Sequence, residues 1–465
     1  MTQTAAEKFR ADPRVAAARK QLLDVLCEHQ SGLDGVRPPL GALRSEYDDL
    51  LERFGELRGG KLFYPYLGSG MGRGPLVELA DGSVKMDFIG GIGVHYFGHG
   101  HPKLVEACLD AALEDTVMQG NLQQNEACVR LLDTLLSMAW GGGARLAHGF
   151  LTTSGAMANE NALKLVFHKR APANRILAFK GCFCGRTLAL SRITDKPQFR
   201  PGLPRTLSVD YVPFFDPKRP RQSTLKSVET LERHLRRHPG KHAAMILEPI
   251  LGEGGYYTAD PDFFTALLGV LRKAGVLVIL DEIQTFARTT TPFAFQELGL
   301  DEFVDVVTVG KLTQVCATLF TDAVKPPPGL VSQTFTGSTS AIAAAQTILD
   351  TMNSGDFFGS AGRISRLGSR FTSRLQAMAQ RHPKWVRGPY GTGAMVAFTP
   401  FDGQPQTAKA LAVALFEAGL ISFIAGSKPA RVRFLLPIGA IDEADVDAAC
   451  ALLEEVMGRF AEGGG

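Results

Sequence analysis

Little in this chain offers a covalent or electrostatic grip on a large partner. Seven of its 465 residues are cysteine, an odd number, scattered from Cys27 to Cys450. The only close pair, Cys182 and Cys184, is spaced C-x-C rather than C-x-x-C, which argues against both a disulfide framework and a zinc site. A reduced, cytoplasmic setting is therefore expected, and no metal. Charge excess is lacking too: 50 Lys+Arg against 47 Asp+Glu leave +3. So near balance, the chain shows no footprint for nucleic acid or an anionic membrane. Apolar runs such as Val276-Leu277-Val278-Ile279-Leu280 fall far short of the ~20 residues a membrane helix needs. The charged start MTQTAAEKFRADPR has no apolar segment of the secretory kind.

What is present fits a large globular protein. Length alone sets a prior of about three domains, or one large α/β domain with appendages. Glycine is abundant, 50 of 465 residues, which predicts many close approaches of backbone to something else. Residues 14–30 and 43–58 read as helices, closed by Gly59-Gly60. A glycine-rich stretch at 68–75 reads as a turn cluster, and Asp81-Gly82 as a hairpin turn. From about 100 to 320, short unalternating apolar runs (150–151, 176–179, 244–247, 276–280, 304–309) alternate with helix patterns at 159–170, 225–237 and 261–274. The last has Asp260 as N-cap, Pro261 at its first position and Gly275 as its stop. This alternation predicts an open, mostly parallel sheet buried on both faces. After about 346, helices return with short strands near 395–398 and 431–434, which reads as a smaller α+β domain.

Ligands of open α/β sheets bind beyond the carboxyl ends of the strands, so the residues leaving each run matter most. Thr153-Ser154-Gly155-Ala156 precede a helix and can present backbone N–H groups to an anion such as phosphate; they also fit a plain capped turn. Asp281 ends an all-apolar strand, where a bare carboxylate is costly without a cation or donors; a helix-capping role is the alternative. Lys311 follows another apolar strand behind Gly310, where desolvation would make its amine nucleophilic; a snorkelling surface lysine is the plainer reading. Phe183, between Gly181 and Gly185, can stack on a flat ring or simply fill the core. Glu248 and Pro249 leave a fourth strand. No one of these is specific. Together they fit pyridoxal 5′-phosphate: phosphate at a helix start, acid on the pyridine nitrogen, lysine on the aldehyde, aromatic side chain on the ring.

The ordered set Ile246-Leu247-Glu248-Pro249-Ile250-Leu251-Gly252-Glu253-Gly254-Gly255, Leu280-Asp281-Glu282-Ile283-Gln284-Thr285 and Val309-Gly310-Lys311 resembles the class III aminotransferases, pyridoxal-phosphate enzymes of fold type I. The likeness spans about residues 63–456. It implies an N-terminal helical arm with short strands (1–95), a large cofactor domain (96–345) and a smaller C-terminal domain (346–465). It implies a Schiff base on Lys311, Asp281 on the pyridinium nitrogen, Gln284 on the ring hydroxyl, Ser154, Gly155 and Ala156 on the phosphate, and Phe183 over the ring. Thr334 matches a threonine that reaches the phosphate of the neighbouring subunit, so a homodimer with shared sites is implied. Arg433 matches an arginine that takes a substrate or 2-oxoglutarate carboxylate, Glu253 the acid that pairs with and gates it, and Arg186 a second carboxylate ligand. The chain departs from the family pattern at Met157, Cys184, Leu251, Phe286-Ala287-Arg288-Thr289 and Thr336-Gly337-Ser338-Thr339, which alters the substrate pocket more than the cofactor core.

Lys311-Leu312-Thr313-Gln314-Val315-Cys316 resembles the L-lysine 6-aminotransferases, and Asn159-Glu160-Asn161-Ala162-Leu163-Lys164 both that group and the 4-aminobutyrate aminotransferases. The cysteines that bind an iron–sulfur cluster in animal 4-aminobutyrate enzymes have no counterpart here, so no cluster is expected. The expected reaction is ping-pong transfer of an amino group, a terminal one, from L-lysine or another ω-amino donor to 2-oxoglutarate. Ornithine-, 4-aminobutyrate- or diamine-type donors, and decarboxylation, aminomutation or racemisation on the same cofactor, are the alternatives. A nicotinamide dehydrogenase is disfavoured because no G-x-G-x-x-G joins a strand to a helix. A catalytically dead scaffold is disfavoured by the joint retention of Asp281, Gln284 and Lys311.

Overall fold

The protein is described by a computed structural model covering residues 3–141 and 143–462. Its centre is a seven-stranded sheet made of β1 (Leu146–Thr152), β2 (Arg175–Phe179), β3 (Ser208–Val212), β4 (His242–Leu247), β5 (Leu277–Asp281), β6 (Val306–Val309) and β7 (Cys316–Thr321). The spatial order is β1-β7-β6-β5-β4-β2-β3, with β7 antiparallel to both neighbours and every other pairing parallel. Every residue of β4 and β6 is buried, as expected of strands covered on both faces. The apolar runs seen in the sequence all lie in this sheet. Two of its strands did not stand out there: β3, a half-exposed edge strand, and β7, whose three alanine and threonine positions dilute its apolar pattern.

Helix α1 (Gly155–Arg170) follows β1, α2 (Pro220–Arg237) follows β3, and α3 (Pro261–Lys273) follows β4. Ser154 caps α1, its hydroxyl accepting the Met157 N–H at 3.2 Å. Pro261 opens α3 as expected, but the Asp260 side chain makes no capping bond. α1 crosses β4, β6 and β7 and so ties the helix start to three strand ends.

Two smaller sheets flank this centre. Gly68–Arg73, Leu76–Leu79 and Val84–Asp87 form an antiparallel meander, and Leu420–Ile421 joins Val84–Asp87 in parallel. The glycine-rich stretch is thus largely a strand, not a turn: Gly68 and Gly70 are exposed, whereas Gly72 is buried and packs so close to His99 that a Cβ would stand 2.3 Å away from that side chain. The other sheet runs Val386–Thr392, Met395–Pro400, Ala430–Leu435, Phe423–Gly426, all antiparallel. Among the described residues, no helix is long and apolar enough to cross a membrane.

Leu280 precedes Asp281 and is fully buried. Leu280→Ala should cost about 2–5 kcal/mol through lost burial and a cavity. The check is the thermal unfolding midpoint: it should fall by several degrees, and an unchanged midpoint would contradict this packing.

Candidate active site

The exits of β1, β4, β5 and β6 converge on one cavity of about 320 Å³, at the small end of the range for small-molecule sites. Its walls include Gly155, Ala156, Phe183, Arg186, Glu253, Asp281, Gln284 and Lys311. Eight of the side chains singled out in the sequence therefore meet, although they span residues 155 to 311.

One end of the cavity is the start of α1. The N–H groups of Gly155 and Ala156 are among the four that a helix leaves unpaired, and the helix dipole favours an anion there. A Cβ on Gly155 would press on the Ile283 side chain at 2.9 Å, so only glycine keeps this cradle open. Ser154 serves it through its cap rather than as a cavity wall.

Asp281 closes the opposite side. Its Oδ2 accepts an N–H from Asn159 at 2.7 Å, and its Oδ1 the Ile283 N–H at 3.1 Å. Burial pushes its acid up to about 6, against the pull of those two donors and of Lys311. Glu248 stands nearby, pushed up to about 8 by burial first and by Asp281 second. It accepts the Phe183 N–H at 2.8 Å and the Gly252 N–H at 2.9 Å. One carboxyl group thus fastens the aromatic loop to the turn that carries Glu253.

Lys311 leaves β6 in the left-handed region, at φ 55°. For a non-glycine residue that conformation costs about 1–3 kcal/mol and is characteristic of functional sites. Burial, and then the Arg433 guanidinium, lower its amine to about 8. Arg433 reaches the site from the strand Ala430–Leu435 and is fully buried. It pairs with Glu253 and also donates to Gln284 Oε1 at 3.3 Å. Burial alone would lower Arg433; the Glu253 carboxylate outweighs it and raises it. Glu253 responds in kind: burial pushes it up, and Arg433 brings it below the ordinary range. Gly252 lies against the Gln284 amide, where a Cβ would collide.

Arg186 and Thr334 are the exposed members of the expected set. Arg186 is exposed at the cavity mouth, its guanidinium 4.1 Å above the Phe199 ring. Thr334 is exposed and is not part of this cavity's wall. Two residues that sequence reasoning did not count as site residues do belong to the wall, Asn159 and Glu248. Asn159 lies four residues after Gly155, the helical spacing that puts both on one face; that was the available signal.

An anion cradle, a buried acid and a desolvated lysine lining one cavity fit pyridoxal 5′-phosphate in donor chemistry. The fold and the site thus define a pyridoxal-phosphate enzyme built on an α/β sheet. A family sequence profile described as Aminotransferase class-III matches residues 67–457. The chain belongs to the class III aminotransferases; it is an enzyme of that family, and its cofactor is pyridoxal 5′-phosphate. It is 31% identical over 408 residues to succinylornithine transaminase of Photorhabdus laumondii, covering 83% of this chain and 92% of the relative. It is 29% identical to 5-aminovalerate aminotransferase of Pseudomonas putida, covering 82% and 91%. Lysine aminotransferase from M. tuberculosis superposes with a TM-score of 0.78 at 25% identity, covering 87% of this chain and 98% of that one.

An amine acylates only when neutral, so a lowered lysine becomes reactive at lower pH than an ordinary one. In the cofactor-free protein, acylation of Lys311 should rise with a midpoint near pH 8, against about 10.4 for an exposed lysine. Mass spectrometry of the modified peptide across pH reads this directly, and a midpoint near 10 would contradict the desolvated site.

Proposed function

We propose that this aminotransferase moves a terminal amino group from an ω-amino donor, of the L-lysine, ornithine or 5-aminovalerate kind, to 2-oxoglutarate by a ping-pong route. The observation that carries this reading is the pairing of the buried Arg433 with the half-buried Glu253 beside Lys311. A ping-pong site must accept a donor whose reacting carbon bears no carboxylate, and then an acceptor whose reacting carbon does. With Glu253 on Arg433, the arginine is neutralised and the site suits the amine end of the donor. With Glu253 turned away, Arg433 is free to take the carboxylate beside the keto group, in a bidentate bond. The names of the relatives, two of which refer to donors with an amine at the chain end, support the same reading.

When bound, pyridoxal 5′-phosphate supplies an electron sink for the transferred electron pair. Under this reading Gly155 and Ala156 hold its phosphate through backbone N–H groups, and the Ser154 cap fixes those groups in place. Asp281 meets its ring nitrogen, Gln284 its ring hydroxyl, and Phe183 covers its face. Lys311 is the residue that joins it. Once displaced, Lys311 Nζ takes a proton from the amine-bearing carbon, and its lowered basicity keeps it neutral enough for that task at ordinary pH. Arg186, at the mouth, is placed to meet a carboxylate at the far end of a long substrate.

The same reading includes a homodimer in which Thr334 serves the phosphate of the partner's site. A cavity of about 1260 Å³ between the N-terminal helices and residues 113–125 supports it. Apolar side chains lie open there, Leu122 at 85% and Leu113 at 57% exposure, and such patches mark interaction surfaces. The division into 1–95, 96–345 and 346–465 belongs to this proposal.

Arg433→Ala separates the two half-reactions. It should lower kcat/KM for 2-oxoglutarate about 100-fold, about 2.7 kcal/mol, and slow the amine-donor half-reaction far less. Single-turnover kinetics with a panel of ω-amines and α-amino acids, with Lys311→Ala as the inactive control, decides it. Equal losses on both sides, or a preference for α-amines alone, would overturn the proposal.

A further inference from the structure

Asn159 is buried at 1% exposure and Thr308 at 0%. The Asn159 amide uses both of its N–H groups and its carbonyl oxygen. Its Nδ2 donates to Asp281 Oδ2 at 2.7 Å and to the Cys184 carbonyl at 2.8 Å. Its Oδ1 accepts from the Thr308 hydroxyl at 2.8 Å. Thr308 lies directly opposite Asp281 in the parallel register of β5 and β6. Three elements, the first turns of α1 and the ends of β5 and β6, therefore meet in one closed polar chain.

This arrangement fixes which end of the amide faces the acid. Flipped, its carbonyl oxygen would stand against two acceptors, the Asp281 carboxylate and the Cys184 carbonyl, with water excluded. Two buried hydrogen bonds would be lost, and each unsatisfied buried group carries its desolvation cost. The Thr308 hydroxyl, by giving its proton to Oδ1, holds the donor side on Asp281. We propose that Asn159, oriented by Thr308, is a positioning residue that keeps Asp281 charged and aimed at the cofactor's ring nitrogen. The inference rests on the reading that Asp281 meets that nitrogen.

Burial favours the uncharged form of Asp281, and a donated N–H favours the carboxylate. The Ile283 N–H serves Oδ1 and leaves Oδ2 to Asn159, and the side chains around the acid do not replace that donor. Glu248 and Glu282 are acids, Cys184 is a thiol kept protonated by the Cys182 side chain and then by burial, Cys316 one kept protonated by burial, and the neighbouring amine of Lys311 is engaged in the chemistry. Thr308 touches Asn159 rather than the acid, so its effect on Asp281 passes through the amide.

The test compares purified, cofactor-loaded wild type with N159L, T308V, T308S and D281N. The readouts are the pH midpoint of the cofactor's absorbance band and the rate of the amine-donor half-reaction. Losing negative charge beside a cationic ring makes that ring more acidic. A ring nitrogen that gives up its proton leaves the lysine-linked nitrogen, which the band reports, more basic, so N159L and T308V should raise the midpoint, N159L by about one pH unit, a tenfold change in the protonation equilibrium. Both should slow the donor half-reaction by a comparable factor, while T308S, which keeps the hydroxyl, should match wild type. A merely structural role would lower the thermal midpoint and leave the absorbance titration in place; that result overturns the inference. If N159L does not fold, the T308V–T308S contrast decides. D281N separates the two levels of the argument: if it titrates as wild type, the role given to Asp281 fails. If D281N shifts and the Asn159 and Thr308 variants do not, only this inference fails.

Discussion

An acid and an amine are held out of water at the ends of neighbouring structural units, and the rest of the molecule is arranged around that fact. Asp281 ends β5 and Lys311 leaves β6. Both are carried by strands that are sealed on both faces, where a lone charge is expensive. The sheet responds by shifting the two in opposite senses, the acid up to about 6 and the amine down to about 8. Each is left in want of a partner of complementary character. A cofactor with a basic ring nitrogen at one edge and an electrophilic carbon at the other satisfies both at once. In the proposed assignment, the fit to such a cofactor follows from the register of two strands and from the dryness of their surroundings.

Around this pair lies a second layer that ties distant parts of the chain to the site. Glu248 bridges the Phe183 loop and the Gly252–Gly255 turn. That turn carries Glu253 to Arg433, which belongs to a separate antiparallel sheet. A single buried acid thus joins the Phe183 loop to the turn whose Glu253 pairs with Arg433. The left-handed backbone at Lys311 stores strain at the same place, held by packing of the strands on either side.

The central sheet was legible because buried parallel strands write themselves as short unbroken apolar runs, and β2, β4, β5 and β6 do so. The candidate site stood out for a related reason: Asp281 and Lys311 are polar residues stranded at the ends of such runs. What escaped is equally physical. β3 is an edge strand whose Ser208-Val209-Asp210-Tyr211-Val212 has no continuous apolar signature. In the Gly68–Arg73 strand every second residue up to Gly72 is glycine, so one face carries no side chains to reveal it. Asn159 looked like an ordinary helical residue, because its meaning depends on two strand ends brought to it from more than a hundred residues away.

The central claim concerns which nitrogen holds the cofactor. Borohydride reduction of the loaded enzyme, followed by proteolysis and peptide mapping, tests it most directly. The account predicts a single reduced pyridoxyl adduct on Lys311. An adduct on another lysine, or cofactor released intact after reduction, would contradict it.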